Sequence, residues 1–374
     1  MSNGNTYVGL DTSKETIHVA VLRPGTSQAL SSHLPNEPEA VRRMTRKLLR
    51  EAAGGEVVMA YEAGPCGYAL QRQVEKLGAR CLVVAPSLIP KKPGERIKTD
   101  RRDAKKLAEY LRNGQLTEVK PPSLEQEAAR DLVRCREDLI EDLARIRHRI
   151  AKMMLRRGLV SREARAWSSA HRRWLRAMRF DYPWEQNVLD DYLLALDQAE
   201  ARLAMLDAQI ERLATSTSYR AAVEALACFR GIKTLTAMTI VCEIHEPRRF
   251  AKARALMAFL GLVPSEYSSA DKRRQGSITK AGNAHVRRVL VEAVHHYRHR
   301  PAVGPELRKR REGKPAWAIA LADRAQSRLH HRYQALLHRG KPYGTVMVAL
   351  ARELTGFLWA AFQNLDARPV KPVA

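Results

Sequence analysis

The stretch Tyr-Val-Gly-Leu-Asp-Thr-Ser-Lys-Glu-Thr-Ile-His-Val-Ala-Val-Leu (Tyr7–Leu22) decides the fold of the N-terminal third. Its two apolar runs, Tyr7–Leu10 and Ile17–Leu22, predict two strands joined by a short polar turn. Helix and strand patterns then alternate, at Glu37–Glu51, at Val57–Glu62, in a helix ending at Leu77, and at Cys81–Val84. A hairpin followed by this alternation predicts a mixed α/β layer fold over residues 1–120.

Four acidic residues lie where this fold would bring carboxylates together. Asp11 and Glu62 each end a strand pattern, and Asp100 and Asp103 are about one helical turn apart, so they share a helix face. A single aspartate at a strand end is more often a turn or cap residue. The set of four converges on one sheet edge, where two Mg²⁺ ions roughly 4 Å apart could assist phosphoryl transfer.

The charge balance indicates a polyanionic partner. Lysine and arginine total 65 against 40 acids, a formal charge of +25. Such an excess suits nucleic acid, because each neutralised phosphate releases counterions. No apolar run approaching 20 residues, lipidation signal or secretory signal is recognised, so we predict a cytoplasmic, nucleoid-associated protein. The five cysteines are scattered without a CxxC pair and indicate neither a disulfide framework nor a zinc site.

Long helices are predicted over residues 121–217. Leu132, Leu139, Ile146 and Met153 recur every seven residues, and a second segment, from Leu189 to Leu213, alternates apolar steps of three and four. Both patterns are typical of coiled-coil seams. The seams could pair antiparallel within one chain or between protomers, and we favour a dimer contact.

The most basic stretch lies between the two seams. It contains eleven arginines and one acid, Glu163, over residues 145–179. A solvated helix face is the ordinary interpretation of such a run. We favour nucleic acid, because the charge is uncompensated within the stretch and guanidinium groups beside aromatic rings suit backbone contact and base stacking. The candidate contact residues are Arg156, Arg157, Trp167, Arg172, Arg173 and Trp174.

A serine-rich loop downstream is the second candidate for chemistry. Ser268 and Ser269 are followed by Lys272, Arg273 and Arg274, which could hold a phosphodiester and stabilise the charge that develops during attack. Serine clusters of this kind are more often flexible loop. The GxSxG hydrolase motif is missing, so a serine here would need activation by a metal site or by phosphate-bound arginines.

Four segments together resemble the DEDD transposases of insertion sequences, the IS-one-ten family of bridge-RNA-guided recombinases. They are Tyr7–Glu15, Tyr61–Gly64 (Tyr-Glu-Ala-Gly), Lys98–Ala108 and Phe259–Pro264 (Phe-Leu-Gly-Leu-Val-Pro) with its serine loop. The resemblance implies a RuvC-like, ribonuclease H-like domain at residues 1–120, a helical coiled-coil region at 121–217, and a mainly helical transposase domain at 218–365.

The resemblance also assigns roles to residues. It implies that Asp11, Glu62, Asp100 and Asp103 hold magnesium and that a serine becomes covalently joined to DNA. By its position after Pro264 and Tyr267 that serine is Ser269, with Ser268 as an alternative and Ser277 as a weaker one. The family commonly has Ser-Gly where this chain has Ser269-Ala270. A composite site between domains and across protomers, in dimers that assemble into tetramers, is implied as well.

Three functions are therefore weighed. The first is an RNA-guided transposase or site-specific DNA recombinase that works through a phosphoserine intermediate. The second is a Holliday-junction resolvase or nuclease, in which metal-activated water is the nucleophile. The third is a non-catalytic nucleic-acid-binding assembly protein, for which the acids would be structural.

Overall fold

The computed structural model describes residues 4–90, 99–162, 164–269, 272 and 274–365. The chain divides into two units, Met1–Pro122 and Ser123–Ala374. The first unit contains a six-stranded sheet, and the second is built mainly from helices. The predicted combination of a mixed α/β N-terminal part with a mainly helical remainder is confirmed.

The sheet of the first unit follows the predicted strand pattern with two additions. Its strands are β1 (Thr6–Thr12), β2 (Thr16–Leu22), β3 (Leu30–Pro35), β4 (Val57–Glu62), β5 (Arg80–Val84) and β6 (Glu118–Val119). The order across the sheet is β3-β2-β1-β4-β5-β6, with β1 antiparallel to β2 and parallel to β4. Prediction missed β3, an edge strand without a buried face, and the two-residue β6.

Three helices cover the two faces of this sheet. They are α1 (Pro38–Glu51), α2 (Ala69–Lys76) and α3 (Asp100–Arg112). One face buries Leu10 and Tyr61 with apolar residues of α1 and α2, and the other buries Val58 and Ala60 with Leu107 of α3. Successive side chains of a strand point to opposite faces of the sheet. A polar residue next to a buried residue of known face therefore points to the other face.

The second unit begins with an antiparallel pair of long helices. These are α4 (Leu124–Arg156) and α6 (Pro183–Ala214), with the short α5 (Ser169–Ala177) between them. Ser123 and Gln126 form a capping box at the start of α4. Leu139, Ile150 and Leu196 lie in the shared core of the pair. The seams therefore pair within one chain, and the favoured dimer contact through them is corrected: each apolar stripe is already buried by the other.

The remaining helices enclose the largest core. They are α7 (Arg220–Ala227), α8 (Thr234–Ile244), α9 (Ala253–Phe259), α10 (Ala284–Val294), α11 (Pro305–Arg311), α12 (Ala316–His338) and α13 (Tyr343–Asn364). A two-stranded hairpin, β7 (Pro264–Glu266) and β8 (Gln275–Ile278), joins α9 to α10. This hairpin carries the predicted serine loop.

The helix α13 is long and apolar enough to cross a membrane, although we predicted no such segment. Half of its most apolar window is buried inside the protein, and Val346, Leu350, Leu354 and Leu358 belong to the core of the second unit. The packing is therefore that of a core helix, for which length and composition alone are weak indicators. The cytoplasmic location stays a prediction.

Candidate active site

The sheet of the first unit brings Asp11 and Glu62 to neighbouring strand ends. In the parallel pairing of β1 with β4, Leu10 lies opposite Tyr61, and each acid is the next residue along its strand. Leu10 and Tyr61 are buried on the face covered by α1 and α2, so the two carboxylates point to the opposite face, on which α3 packs.

Gly9 allows α3 to approach the same face closely. A Cβ atom at Gly9 would lie 2.0 Å from the carbonyl oxygen of Ala104 and 2.5 Å from the backbone nitrogen of Ala108. Asp100 and Asp103 lie in the first turn of this helix, after the N-cap Thr99. Acids in a first turn also stabilise a helix by interacting with its dipole, so their position alone does not demonstrate a catalytic role.

A histidine of the sheet, missed by sequence reasoning, lies close to one of the two helix acids. His18 lies directly opposite Asp11 in the antiparallel pairing of β1 with β2, so the two side chains share a face. His18 Nε2 is 3.7 Å from Asp100 Oδ2. His33, its partner on β3, has its ring centroid 6.0 Å away. The signal was present in β2, where Ile17 and Val19 alternate with His18.

The four acids form an acidic edge at this end of the sheet, comprising Asp11, Glu62, Asp100 and Asp103. The side chain of Asp103 is about one-quarter exposed and accepts a hydrogen bond of 3.2 Å from Lys106 Nζ. Their oxygen donors suit Mg²⁺ in type. However, among the described residues no group of three or more His, Cys, Asp or Glu side chains is placed to hold a metal ion. The magnesium site at this edge therefore stays a prediction.

The serine hairpin, residues 264–278, presents its two central serines differently. Ser268 is engaged on both sides: its hydroxyl donates to Glu266 Oε1 at 2.9 Å and accepts from the Arg274 backbone N–H at 3.2 Å. Ser269 pairs with Lys272 through backbone hydrogen bonds only. Its side chain is exposed, and its hydroxyl has no hydrogen bond to any described residue. Ser269 is thus the more accessible of the two hydroxyls.

The other residues predicted around the serine are placed as follows. Ser277 lies on β8, and its carbonyl accepts a hydrogen bond from the Ser265 hydroxyl at 3.2 Å. Lys272 and Arg274 are exposed near the tip. Arg273 and Ala270 lie outside the described residues.

A buried ionic network, missed from the sequence, anchors the chain just after the hairpin. Glu243 of α8 is 2% exposed and receives two hydrogen bonds from Arg134 of α4, at 2.7 and 3.0 Å. Asn283 donates to the same carboxylate at 2.6 Å and caps α10 by accepting the Val286 N–H. Burial opposes the charge of Glu243, but the bonds from Arg134 and Asn283 outweigh it and lower its pKa.

Acids outside the basic stretch neutralise several of its arginines, which its own sequence does not indicate. Arg157 pairs with Glu185, and Arg147 and Arg172 share Glu200, so acids of α6 neutralise arginines that precede it. Trp167 and Trp174 are half-buried against the core of the α4–α6 pair. Six arginines of the stretch are exposed and have no ion pair among the described residues: Arg149, Arg156, Arg162, Arg165, Arg173 and Arg179. The charge of the stretch is therefore only partly uncompensated, and the prediction of wholly uncompensated charge is corrected.

Comparison with known proteins decides the family. A transposase model, the DEDD model of IS110 elements, matches residues 8–157, and the model described as "Transposase IS116/IS110/IS902 family" matches residues 223–309. A relative from Sinorhizobium fredii with the description "Putative transposase y4qE" is 38% identical over 356 residues, which cover 95% of this chain and 87% of the relative. The chain belongs to the IS110 family of transposases.

Two further relatives extend the match along the whole transposase. The transposase for insertion sequence element IS1533 of Leptospira borgpetersenii is 33% identical over 340 residues, covering 90% of this chain and 97% of its own. A probable family 20 transposase of Pseudomonas aeruginosa is 25% identical over 358 residues, covering 94% and 95%. The predicted family is confirmed, and DNA transposition is the general activity that it implies.

Proposed function

We propose that this transposase cuts and rejoins DNA through a covalent bond between Ser269 and a DNA strand. The observation that carries the proposal is the contrast within the hairpin. Ser268 is held by Glu266 and Arg274, whereas the Ser269 hydroxyl is exposed without a described hydrogen-bond partner. A nucleophile must reach its substrate, and an exposed hydroxyl beside Lys272 and Arg274 meets that need.

The step exchanges one phosphoester for another. The Ser269 Oγ–phosphorus bond would form as the bond from phosphorus to a deoxyribose oxygen breaks. The serine proton would be lost to a base, and the departing oxygen would be protonated. Because a phosphoester is conserved, rejoining needs no external energy source, and attack by a deoxyribose hydroxyl on the phosphoserine would release the enzyme.

The acidic edge is the proposed place for divalent metal, of which Mg²⁺ suits the oxygen donors best. Bound ions would offset the negative charge of a reacting phosphate. Asp11, Glu62, Asp100 and Asp103 would supply the ligands. The sheet order, with two antiparallel strands on one side of β1 and a parallel strand on the other, supports a RuvC-like, ribonuclease H-like interpretation of the first unit.

Nucleic acid is the proposed partner of Arg156 and Arg173, which have no ion pair in the part of the chain that the structure describes. Structured RNA would bind there and select DNA by base pairing, a division of labour in which the protein reads the backbone and the guide reads the sequence. The proposed dimers and tetramers would use surfaces other than the α4–α6 seam, because that seam is filled within one chain.

The test combines purified protein, element-end DNA, Mg²⁺ and the element's noncoding RNA, followed by denaturing electrophoresis. A covalent protein–DNA species is expected with the natural sequence and with Ser268→Ala, and its loss is expected with Ser269→Ala. Ser265→Ala, which changes a hydroxyl at the base of the same hairpin, serves as a control. Persistence of the adduct in Ser269→Ala would refute the assignment.

Hydrolysis is the second candidate, because the acidic edge alone is compatible with a nuclease-type mechanism. Water would then attack the phosphate, and no protein–DNA bond would form. Cleaved DNA without any adduct, unaffected by Ser269→Ala, would favour this candidate. Failure to cut at all, with Asp11→Asn leaving every activity intact, would favour the non-catalytic assembly protein.

A further inference from the structure

A cavity of about 630 Å³ lies beside the base of the serine hairpin, within the second unit. Arg254 of α9, Arg328 and Arg332 of α12, and Arg352 of α13 line it, together with one acid, Glu353. Arg328 and Arg332 are four residues apart and so project from the same side of α12. Four guanidinium groups facing a single carboxylate give this cavity a strong positive charge.

The carboxylate of Glu353 is already engaged. It forms an ion pair with Arg328, and Arg332 Nε lies 3.9 Å from its other oxygen. Arg352 is half-buried and makes no hydrogen bond or ion pair with any described residue. Its guanidinium is therefore available to an anion that enters the cavity. The excess of positive charge also suits the cavity to an anionic ligand.

The cavity adjoins the hairpin that carries the proposed nucleophile. Gly276 and Ser277 of β8 form part of its wall. Lys272, which bridges to Ser269, is five residues from Ser277, so the two Cα atoms are at most about 18 Å apart. That length corresponds to roughly five nucleotide steps along one strand of a duplex. A DNA strand that reaches Ser269 and runs along the hairpin towards its base would come to the cavity wall within about this length.

We propose that this arginine cavity binds a backbone phosphate of the DNA strand that Ser269 attacks, within roughly five nucleotides of the cut. Guanidinium groups recognise phosphate by paired hydrogen bonds, and the cavity has room for a phosphate with its sugar. The proposal rests on the function proposed above. It adds a site that would fix the register of the strand on the hairpin.

The experiment measures DNA binding separately from chemistry. Full-length Ser269→Ala protein is titrated with fluorescent element-end DNA at several salt concentrations, alone and with Arg352→Gln added. Arg339→Gln, an exposed arginine at the end of α12 outside the cavity, is the matched control. We expect Arg352→Gln to weaken binding about tenfold, to reduce the salt slope by about one, and to leave the melting temperature unchanged or higher.

The register is tested with DNA that carries one uncharged methylphosphonate linkage at a time. When the contacted phosphate is neutralised, the proteins with and without Arg352→Gln should bind the DNA with equal affinity. We expect this linkage to lie within roughly five nucleotides of the cut. Equal weakening by Arg352→Gln and Arg339→Gln would overturn the cavity assignment. A lowered melting temperature with unchanged DNA affinity would also overturn it, since Arg352 would then be structural.

Two further outcomes separate this proposal from the proposed function. Weakened binding of the element's RNA with unchanged DNA binding would refute DNA as the ligand. Absence of an adduct in the natural protein, with the Arg352 effect intact, would refute the serine chemistry and the link to Ser269 but not the phosphate site. A sensitive linkage more than about five nucleotides from the cut would refute the proposed register.

Discussion

The acidic edge and the serine hairpin differ in how firmly the fold holds them. Asp11 and Glu62 lie at the ends of strands whose side chains are buried on both faces, and α3 is packed against Gly9. Ser269 lies near the exposed tip of a hairpin with only two short strands. The acidic edge is thus prebuilt by the sheet, whereas the serine depends on anchors at the base of its hairpin. Variants that disturb one region and spare the other test this difference.

The largest effect is expected at the acidic edge. Asp11→Asn should lower transposition by at least about 10²–10³-fold, the usual effect of deleting one electrostatic contributor at a reacting centre. Glu39→Gln, on α1 across the sheet, is the matched control and should retain activity. Measurements would combine an excision assay with the melting temperature and Mg²⁺ titration. Full activity in Asp11→Asn would mean that the acids are structural.

The anchor below the serine should respond to Glu243→Gln. The folded-state pKa of Glu243 is lowered, so its ionisation stabilises the fold above the unfolded pKa of about 4.3, and this contribution is lost as pH falls through the folded pKa. The variant should be less stable by about 1–3 kcal/mol at pH 7. Its stability should also fall less on acidification than that of the natural protein.

Urea unfolding of the full chain between pH 7 and pH 3 measures both quantities. Glu292→Gln, an exposed acid on α10 that pairs with Arg288, is the control and should change stability little. Parallel pH profiles for Glu243→Gln and the natural protein would show that the ionised network does not stabilise the hairpin's base.

Close packing at the acidic edge is tested by Gly9→Ala. The new Cβ would meet backbone atoms of α3, at Ala104 and Ala108, which cannot rotate away. We expect a loss of about 1–3 kcal/mol in unfolding free energy, together with reduced activity as α3 moves. Gly64→Ala adds a Cβ whose nearest atom is 3.9 Å away and should leave thermal unfolding nearly unchanged. Equal melting temperatures for both variants would contradict the described packing.

The smallest effects are expected in the arginine-rich stretch. Arg173→Gln should leave stability unchanged but reduce the salt slope of nucleic-acid binding by about one, because Arg173 is exposed and unpaired among the described residues. Arg172→Gln removes a partner of Glu200 and should cost about 0.2–1 kcal/mol of stability, with little effect on binding. Loss of stability in Arg173→Gln, or weakened nucleic-acid binding in Arg172→Gln, would show that ion pairing does not determine which of these two arginines binds nucleic acid.

Sequence patterns predicted the parts of the fold that depend on local periodicity. The strands that carry Asp11 and Glu62 follow from apolar alternation, and the helix that carries Asp100 and Asp103 follows from helical spacing. The edge strand β3 was missed because its burial does not alternate. Heptad spacing identified both long helices but cannot specify the partner, and the partner is within the same chain.

Long-range polar contacts could not be predicted from one sequence. Glu200 lies 53 residues from Arg147, and Glu243 lies 109 residues from Arg134, so no local charge pattern relates them. His18 could have been noticed, because it alternates with buried residues in β2, but its distance to Asp100 depends on how α3 crosses the sheet. The choice between Ser268 and Ser269 likewise rests on hydrogen bonds seen only in three dimensions.

The most direct measurement is the identity of the amino acid joined to DNA. Protein and element-end DNA would react with Mg²⁺ and the element's RNA, and nuclease and protease digestion would leave a nucleotide on a single peptide for mass spectrometry. We predict a nucleotide joined to the Ser269 hydroxyl through its phosphate. This modified serine should be absent from the Asp11→Asn protein. A nucleotide on Ser268 or Ser277, or efficient strand cleavage without any modified serine, would contradict the proposed mechanism.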